Sequence, residues 1–249
     1  NGSTGFRAPN IDDVGKIFDS EPGSVVVPNP DLEPEYAYNM ELGIHKNFND
    51  KLVLNGATFY TYLVDALVRR DFQFNGQSEI EYNGELSNVQ SIQNAAKAYV
   101  YGFEFGLEAF LSDNFSVRAN LTLTEGIEEE DDGTDSPGRH VAPTFGDLHL
   151  IWKNQKLKAD LFLNYNGEIP FYDLASSERS KGYIYAKDGN GNPYSPSWHT
   201  LNFRSQYTIS DAFKATMSIE NITNQRYRTY SSGISASGIN LVLGLGYRF

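Results

Sequence analysis

The chain contains no cysteine among its 249 residues, which excludes a disulfide framework, a thiolate zinc site and a cysteine nucleophile. It also lacks any apolar run of about 18 residues, so no transmembrane helix is predicted, although barrel strands give a far weaker signal. Basic residues are scarce relative to acidic ones (20 against 32), and the net charge of −12 argues against nucleic acid as a partner. The opening residues Asn1-Gly2-Ser3 include neither an initiator methionine nor a signal segment, so we expect a piece of a longer polypeptide.

Aromatic residues are abundant in spite of this polar composition. Tyr and Phe occur 16 times each, and aromatic residues make up 14% of the chain, yet the mean hydropathy is −0.45. Many large rings in an otherwise polar sequence suit short strands with one apolar face better than the thick core of a soluble domain.

Strict period-two alternation is the strongest pattern in the sequence. In 115–124, apolar residues at the odd positions alternate with Ser, Arg, Asn and Thr, as in a strand whose two faces meet different surroundings. The pattern predicts nine strands, at 36–47, 52–64, 99–109, 115–124, 145–153, 157–166, 198–209, 213–221 and 239–249. The segment 52–64 is ambiguous because both of its faces carry large residues.

The connections between the predicted strands fall into two alternating classes. The minimal class consists of 48–50, 112–114, 154–155 and 210–212, and the long class of about 65–97, 125–143, 167–197 and 228–237. This sorting is typical of outer-membrane barrels, whose periplasmic turns are short. The sequence therefore predicts an all-β fold, an antiparallel transmembrane β-barrel portion of about nine strands. A soluble sandwich or propeller is the alternative. Because nine strands form an open sheet, and an open edge in lipid would leave backbone groups without hydrogen bonds, we expect further strands upstream.

The tight turns also predict the register of the hairpins. A two-residue turn at 154–155 places His149 opposite Asp160 and Leu150 opposite Ala159. Charge then meets opposite charge on one face and apolar meets apolar on the other, as expected of a correctly paired hairpin.

Four motifs resemble those of TonB-dependent receptors. Gly5–Asn10 (GFRAPN) and Asn29–Glu35 (NPDLEPE) are similar to the FRAP and NPxLxPE segments before the final barrel strands of that family. Glu220–Asn224 (ENITN), followed by Tyr227, resembles a motif near its penultimate strand, and the terminal Tyr247–Phe249 (YRF) resembles the signal read by the barrel-assembly machinery. Leu243 departs from the polar residue usual in that signal.

The resemblance covers essentially the whole chain and carries several implications. It implies the last portion of a 22-stranded barrel, with residues 1–35 as a long extracellular loop segment after a preceding strand and 36–249 as the C-terminal strands. It implies location in the bacterial outer membrane, contact with outer-membrane lipid, and assembly through Phe249. It also implies that a missing N-terminal plug connects the receptor to the TonB energy-transducing complex.

The motifs themselves allow a structural or a ligand-binding role. The prolines at 9, 30 and 34 block helices and sheet ladders, so they can shape a long surface loop. The Asn-rich stretch at 221–224 can end a strand through bonds from side chains to the backbone. We favour the structural role for both.

The resemblance implies active uptake of a scarce nutrient, with a ferric siderophore favoured as the ligand. Haem is disfavoured because residues 10–28 lack the histidine that haem receptors of the family carry, while cobalamin, haem and oligosaccharide uptake and a passive porin remain alternatives. Aromatic and basic residues of the outer loops are the candidate ligand contacts: Arg139, His140, Tyr172, Arg179, Tyr183 and Tyr185. Aromatic residues near the membrane rim can equally form a girdle.

No catalytic constellation is predicted. The histidines His45, His140, His149 and His199 show neither metal-ligand nor triad spacing, and the acidic run 128–135 lacks the EF-hand pattern. We therefore expect no enzyme activity, no cofactor and no metal site. An outer-membrane protease and a soluble binding module are the remaining alternatives, of which the first would need clustered acids and a histidine on one rim.

Overall fold

The computed structural model describes residues 1–130, 133–139 and 141–249. The strands are β1 (Gly2–Arg7), β2 (Phe18–Glu21), β3 (Ser24–Val27), β4 (Glu35–Phe48), β5 (Leu52–Asp71), β6 (Glu79–Tyr82), β7 (Glu85–Phe110), β8 (Phe115–Glu129), β9 (Asp135–Pro137), β10 (Phe145–Lys153), β11 (Leu157–Asn166), β12 (Ala186–Lys187), β13 (Pro193–Tyr194), β14 (Trp198–Thr208), β15 (Phe213–Glu220) and β16 (Asn240–Tyr247). Two short α-helices, α1 (Ile11–Gly15) and α2 (Ser176–Arg179), and one 3₁₀ turn (Phe171–Asp173) complete the described secondary structure. Over this part of the chain, no helix has the length and apolar character needed to cross a membrane.

One sheet contains almost all of the strands. Its neighbours follow the order β1-β4-β5-β7-β8-β10-β11-β14-β15-β16, with β2, β3, β6 and β9 attached beside this path. All nine predicted strands are present in the predicted order, and an antiparallel sheet of consecutive neighbours is confirmed. β1 adds a further strand within 1–35, where it pairs with the first half of β4.

Two strands extend well beyond their predicted bounds. β5 runs to Asp71 and β7 begins at Glu85, so most of the predicted loop 65–97 is strand and this prediction of its extent was wrong. At 85–98 polar and apolar residues are mixed at both odd and even positions, which hides the alternation. Pairing with other segments supports this part of the strand: β3 pairs in parallel with it, from Ser24 beside Asn88 to Val27 beside Ser91, and β6 pairs antiparallel with residues 85–88.

The chain contacts divide into two compact units, of which the first comprises residues 1–40, 60–100 and 126–138. Its small core consists of the fully buried Val25, Val27 and Val89, against which Phe72, Ile80 and Tyr82 pack. These residues come from β3, β7 and the segment between β5 and β7. The long-loop end of this unit is therefore a folded structure with its own apolar interior.

The second unit comprises residues 41–59, 101–125 and 139–249, and its strands have one apolar and one polar face. Cross-strand pairing aligns the apolar residues in rows. One row across six neighbouring strands consists of Val117, Leu150, Leu161, Phe203, Ile219 and Leu241. On the opposite face, Asn120 lies beside Asp147, and its side-chain amide donates to the carboxylate at 2.9 Å.

The predicted register of the β10–β11 hairpin was wrong by two residues. His149 pairs with Phe162, and Asp160 pairs with Ile151. The turn moves one residue along the chain because the Asn154 side chain accepts hydrogen bonds from the backbone of Lys156 and Leu157, at 2.9 and 2.7 Å. A shift of two residues leaves each side chain on its predicted face, so the His149 imidazole still meets the Asp160 carboxylate, at 2.8 Å.

The tight turns lie along one edge of the sheet, as predicted. The first turn has Asn49 and Asp50 at φ values of 52° and 53°, the left-handed backbone of a two-residue hairpin turn. Backbone hydrogen bonds join each turn region to the next strand: Phe110 to Lys51, Lys153 to Asn114, Thr208 to Lys156 and Arg248 to Ala212. The longer connections leave the opposite ends of these strands.

Candidate functional site

The first two sequence motifs are linked to each other at the long-loop end of the first unit. The Arg7 guanidinium donates to the Glu35 carboxylate at 2.7 Å, and the other oxygen of Glu35 accepts from the backbone of Leu67 at 2.8 Å. Asn10 caps the helix α1 with a reciprocal bond to Asp13. These contacts fit the structural role favoured for this pair of motifs.

Asn29 and Glu33 of the second motif reach β7 through similar bonds. The Asn29 amide donates to the Ile92 carbonyl at 3.0 Å, and the Asn94 side chain both accepts from and donates to the Glu33 backbone at 2.9 Å. The prolines of this segment leave it free of the sheet ladder, so side-chain bonds fix its path.

The third motif holds the segment after β15. Asn221 is buried at a φ of 48°, and its side-chain oxygen accepts from the Gln225 backbone at 2.9 Å. Its side-chain nitrogen donates to the carbonyls of Gln225 and Ser237, at 2.8 and 3.1 Å. The backbone of Asn221 in turn donates to the side chain of Asn202 in β14, at 2.8 Å. The motif therefore positions the segment 225–237 against the start of β14.

The long loop 167–197 folds around a buried carboxylate. Glu178 in α2 has no solvent exposure and lies beside Leu174 and Ala175, which are equally buried. Three groups reach its oxygens: the Tyr185 hydroxyl at 2.5 Å, the Lys181 ammonium at 3.0 Å and the Arg139 guanidinium at 2.7 Å. The Arg139 contact is a close ion pair rather than an aligned hydrogen bond, because its Nε–H is not directed at the carboxylate.

The electrostatics of this cluster favour a charged glutamate and a neutral tyrosine. Burial by itself would raise the pKa of Glu178, but hydrogen bonds from Tyr185 and Lys181 and the positive charges of Lys181 and Arg139 outweigh it, so its pKa is lowered. Burial, together with the bond to Glu178 and its negative charge, raises the pKa of the Tyr185 hydroxyl. The cluster thus holds the loop together with Glu178 charged and Tyr185 neutral.

The predicted ligand contacts take three different positions. Arg139 and Tyr185 point to Glu178, and Arg179 donates to the carbonyls of Leu174 and Tyr172 at 3.1 and 2.8 Å. The side chains of Tyr172 and Tyr183 are exposed, at 77% and 64%. His140 lies outside the described residues. Tyr172 and Tyr183 are thus the predicted contacts whose rings meet solvent, and a ligand-binding role for all six residues stays a prediction.

A cleft that the sequence did not predict lies between this loop and the segment after β15. It has a volume of about 320 Å³ and is lined by Ile184, Tyr185, Ala186, Ser195, Pro196, Ser197, Trp198, Arg226, Tyr227, Arg228, Thr229, Ser232 and Ser235. Trp198 and Tyr227 stack with their ring centres 4.1 Å apart. The residues that could have indicated this cleft from the sequence are Arg226 and Arg228, on either side of the motif residue Tyr227, and Trp198 at the first position of β14.

The sequence predicts neither a metal site nor a catalytic constellation at the histidines and acidic residues. Among the described residues, no group of three or more His, Cys, Asp or Glu side chains could hold a metal ion. His149 lies between Asp160 and Asp147, at 2.8 and 3.1 Å, and its ring stacks on Phe162.

Part of the acidic run 128–135 is occupied by ion pairs. Glu130 contacts Arg70 at 2.6 Å and Glu129 contacts Lys97 at 3.7 Å. The residues at 131 and 132 lie outside the described part of the chain. These pairs connect β7 and β5 to the end of β8, which is a structural use of the charges.

Short turns at one edge of the sheet and long, folded connections at the other are typical of the wall of a bacterial outer-membrane β-barrel, and so are strands with one apolar and one polar face. The chain belongs to the TonB dependent receptor-like β-barrel family, whose model matches residues 1–222. This membership confirms the predicted family, the barrel fold and the location in the bacterial outer membrane. The family consists of receptors and transporters, not of enzymes.

Individual relatives match over the whole length of the chain. It is 21% identical to the iron-regulated outer membrane virulence protein of Vibrio cholerae, over 99% of this chain and 36% of that protein. Among solved structures, the copper transporter OprC superposes with a TM-score of 0.73 at 15% identity, covering 100% of this chain and 36% of the other. The siderophore receptor PirA from Acinetobacter baumannii gives 0.72 at 18% identity, covering 100% and 38%. The chain therefore spans little more than a third of the length of these relatives.

Proposed function

We propose that the intact protein imports a ferric siderophore across the outer membrane, with energy supplied by the TonB complex through an N-terminal plug. Family membership supports the receptor class. The names of two relatives, an iron-regulated outer membrane protein and a siderophore receptor, support iron as the cargo. The copper transporter among the similar structures makes a different metal the natural competitor.

The observation within this chain that carries the proposal is the character of the outer cleft. It lies at the long-loop end of β14, and its lining combines aromatic rings with two arginines. None of the described lining residues carries a carboxylate. Such a surface suits a ligand with negatively charged oxygens on apolar arms, and a bare metal cation would be repelled by it.

Two further partners follow from the same proposal. The rows of apolar side chains that include Leu161 and Phe203 would contact outer-membrane lipid. Tyr247, the last residue of β16, and Phe249, whose rings lie 6.2 Å apart, would be read by the barrel-assembly machinery.

Cells with and without TonB provide the test of active import. Binding of a labelled ferric siderophore to the intact receptor should survive loss of TonB, because the outer surface needs no energy to bind. Accumulation inside the cell should stop. A passive porin predicts uptake that is indifferent to TonB and roughly linear in external concentration, so uptake that persists undiminished without TonB would refute the proposal.

The cargo is tested in the same cells by competition. Excess unlabelled ferric siderophore should abolish both binding and uptake, whereas cobalamin, haem, an oligosaccharide or a copper salt should not. Growth on ferric siderophore as the iron source should fail after deletion of the gene. If one of the other compounds displaces the label instead, the receptor class stands and the iron assignment falls.

A further inference from the structure

A set of basic side chains projects from one face of the sheet near the short turns, and we call it the basic patch. Its members come from the neighbouring strands β8, β10, β11, β14 and β15: Arg118, Lys153, Lys158, Arg204 and Lys214. Cross-strand pairing places them on the polar face that also carries Asn120 and Asp147, opposite the apolar rows.

The positive charge of the patch is not neutralised by the sheet. All of its residues are exposed, and none of them forms an ion pair with the part of the chain that the structure describes. Lys153 and Lys158 lie directly opposite each other, an arrangement that destabilises a sheet because like charges repel. Asp160, the cross-strand neighbour of Arg204, is engaged by the His149 imidazole at 2.8 Å. In a chain whose net charge is −12, this concentration of unpaired cations runs against the overall composition.

The extent of the patch favours a polypeptide surface over a small anion. Adjacent strands lie about 4.8 Å apart, so the cations are spread over roughly 19 Å across the sheet. In the register of β14, Arg118 lies level with position 202 and Lys214 with position 208, about 20 Å apart along the strands. One small anion can meet only neighbouring members of such a patch. Neutralising all of them requires negative groups arranged over a surface of that size, such as the carboxylates of a folded polypeptide.

We propose that the basic patch docks an acidic polypeptide surface, the face that the plug of the intact receptor turns towards the sheet. The inference rests on the proposed function in that the plug is part of it. Charge complementarity carries the assignment, because carboxylates placed between the ammonium groups of Lys153 and Lys158 turn their mutual repulsion into attraction to a shared partner.

Zero-length coupling tests the contact in the purified intact receptor. A water-soluble carbodiimide joins a lysine amine to a carboxylate only where the two are in direct contact, and peptide mass spectrometry identifies the partners. Lys153, Lys158 and Lys214 should each couple to Asp or Glu residues of the plug, whereas the exposed Lys187 of the outer loop should not.

Acetylation with a small amine-reactive reagent gives an independent measure of the same contact. The lysines of the patch should react at least about tenfold more slowly than Lys187, because a covered side chain is reached only when the interface opens.

Lys158→Glu separates docking from the stability of the sheet itself. Within the sheet it replaces a like-charge pair with an opposite-charge pair, so the pairing of β10 with β11 is retained or strengthened. On a docked surface it places a negative charge among carboxylates. Acetylation of Lys214, on a strand that does not pair with β11, should therefore become about three- to tenfold faster.

Lys187→Glu makes the same reversal of charge outside the patch and should leave the acetylation of Lys214 unchanged. Heat-modifiable electrophoretic mobility confirms that both variants are folded barrels. Equal acetylation of Lys214 in the parent and in Lys158→Glu would count against docking.

The remaining outcomes separate this inference from the proposed function. If the lysines of the patch react as fast as Lys187 and couple to no carboxylate of the plug, the inference is overturned. Protection that arises only when an anionic ferric siderophore is added also overturns it, because the patch then faces a path for a small solute. If TonB-dependent import fails while coupling to the plug remains, the proposed function falls and the inference stands.

Discussion

Replacing Glu178 with glutamine should loosen the long loop 167–197 without unfolding the sheet. The glutamate has no solvent exposure, and its oxygens are contacted by Tyr185, Lys181 and Arg139. Glutamine keeps the shape and can still accept from Tyr185. It removes the negative charge that faces the two cations, inside a loop whose neighbouring residues Leu174 and Ala175 are fully buried.

The expected cost follows from how exposed the partners are. Breaking a fully buried ion pair by removing one partner costs about 3–5 kcal/mol. The side chains of Lys181 and Arg139 are 10% and 27% exposed, so water recovers part of the loss for Arg139. We therefore expect about 2–3 kcal/mol of local stability to be lost, which corresponds to roughly 30- to 150-fold faster opening of the loop.

Amide hydrogen exchange on the intact receptor measures this opening directly. The reporters are the N–H groups of Glu178, Lys181 and Ile184, each of which donates within the loop to a carbonyl three residues earlier. Asp173→Asn, which neutralises an exposed carboxylate of the same loop, is the matched control and should change their exchange by less than about threefold. Exchange in Glu178→Gln within threefold of the parent would refute the structural role of the cluster.

The same cluster gives the loop a defined range of pH stability. The pKa of Glu178 is lowered from 4.5 in the folded loop, so its stabilising contribution is present above that value and is lost as the pH falls through the folded-state pKa. The pKa of Tyr185 is raised from 10.0, so its contribution is present below that value and is lost as the pH rises through the folded-state pKa. Loop exchange, corrected for intrinsic rates, should thus be slowest between these limits, and Glu178→Gln should abolish the acid limb.

Two further predictions concern the barrel wall and the cleft. Leu121→Arg in the intact barrel should lower the free energy of unfolding by about 2–4 kcal/mol if Leu121 lies near the bilayer midplane. Asn120→Arg, on the opposite face, should lower it much less. Reversible unfolding in lipid vesicles measures both, and equal losses would contradict the assigned faces. Asn221→Gly tolerates the positive φ but removes the side-chain bonds to Gln225 and Ser237, so it should speed amide exchange of Gln225 by more than tenfold. Unchanged exchange there would show that the segment holds its position without the motif.

The faces and turns of the sheet were predictable because their causes are local. Alternation along a strand decides which side chains share a face, whatever the strand pairs with. Asn49 and Asp50 adopt left-handed backbone that few other residues tolerate, so the first turn is encoded in two positions. The prediction of the β10–β11 register was wrong because two local hydrogen bonds, which the Asn154 side chain accepts from the backbone of Lys156 and Leu157, moved the turn by one residue.

The candidate site was much less predictable, since its residues act through partners distant in sequence. Arg139 and Tyr185 were singled out as ligand contacts on their chemistry alone, and in the structure both contact the carboxylate of Glu178. Trp198 and Arg226 were not singled out, and they line one cleft because Asn221 holds the segment after β15. Aromatic and basic residues have the same composition signal whether they face a ligand or a buried carboxylate.

The sequence by itself determined an all-β chain with two-faced strands, short turns at one edge and a recognisable family, because periodicity and turn chemistry depend on neighbouring residues. Only the tertiary structure decided that residues 85–98 form a strand, since β6 and β3 pair with residues 85–91 and so satisfy backbone groups there. It alone decided which loop residues turn inward and which line a cleft. Those choices depend on burial and on charges brought together from distant segments, and the order of the residues does not contain them.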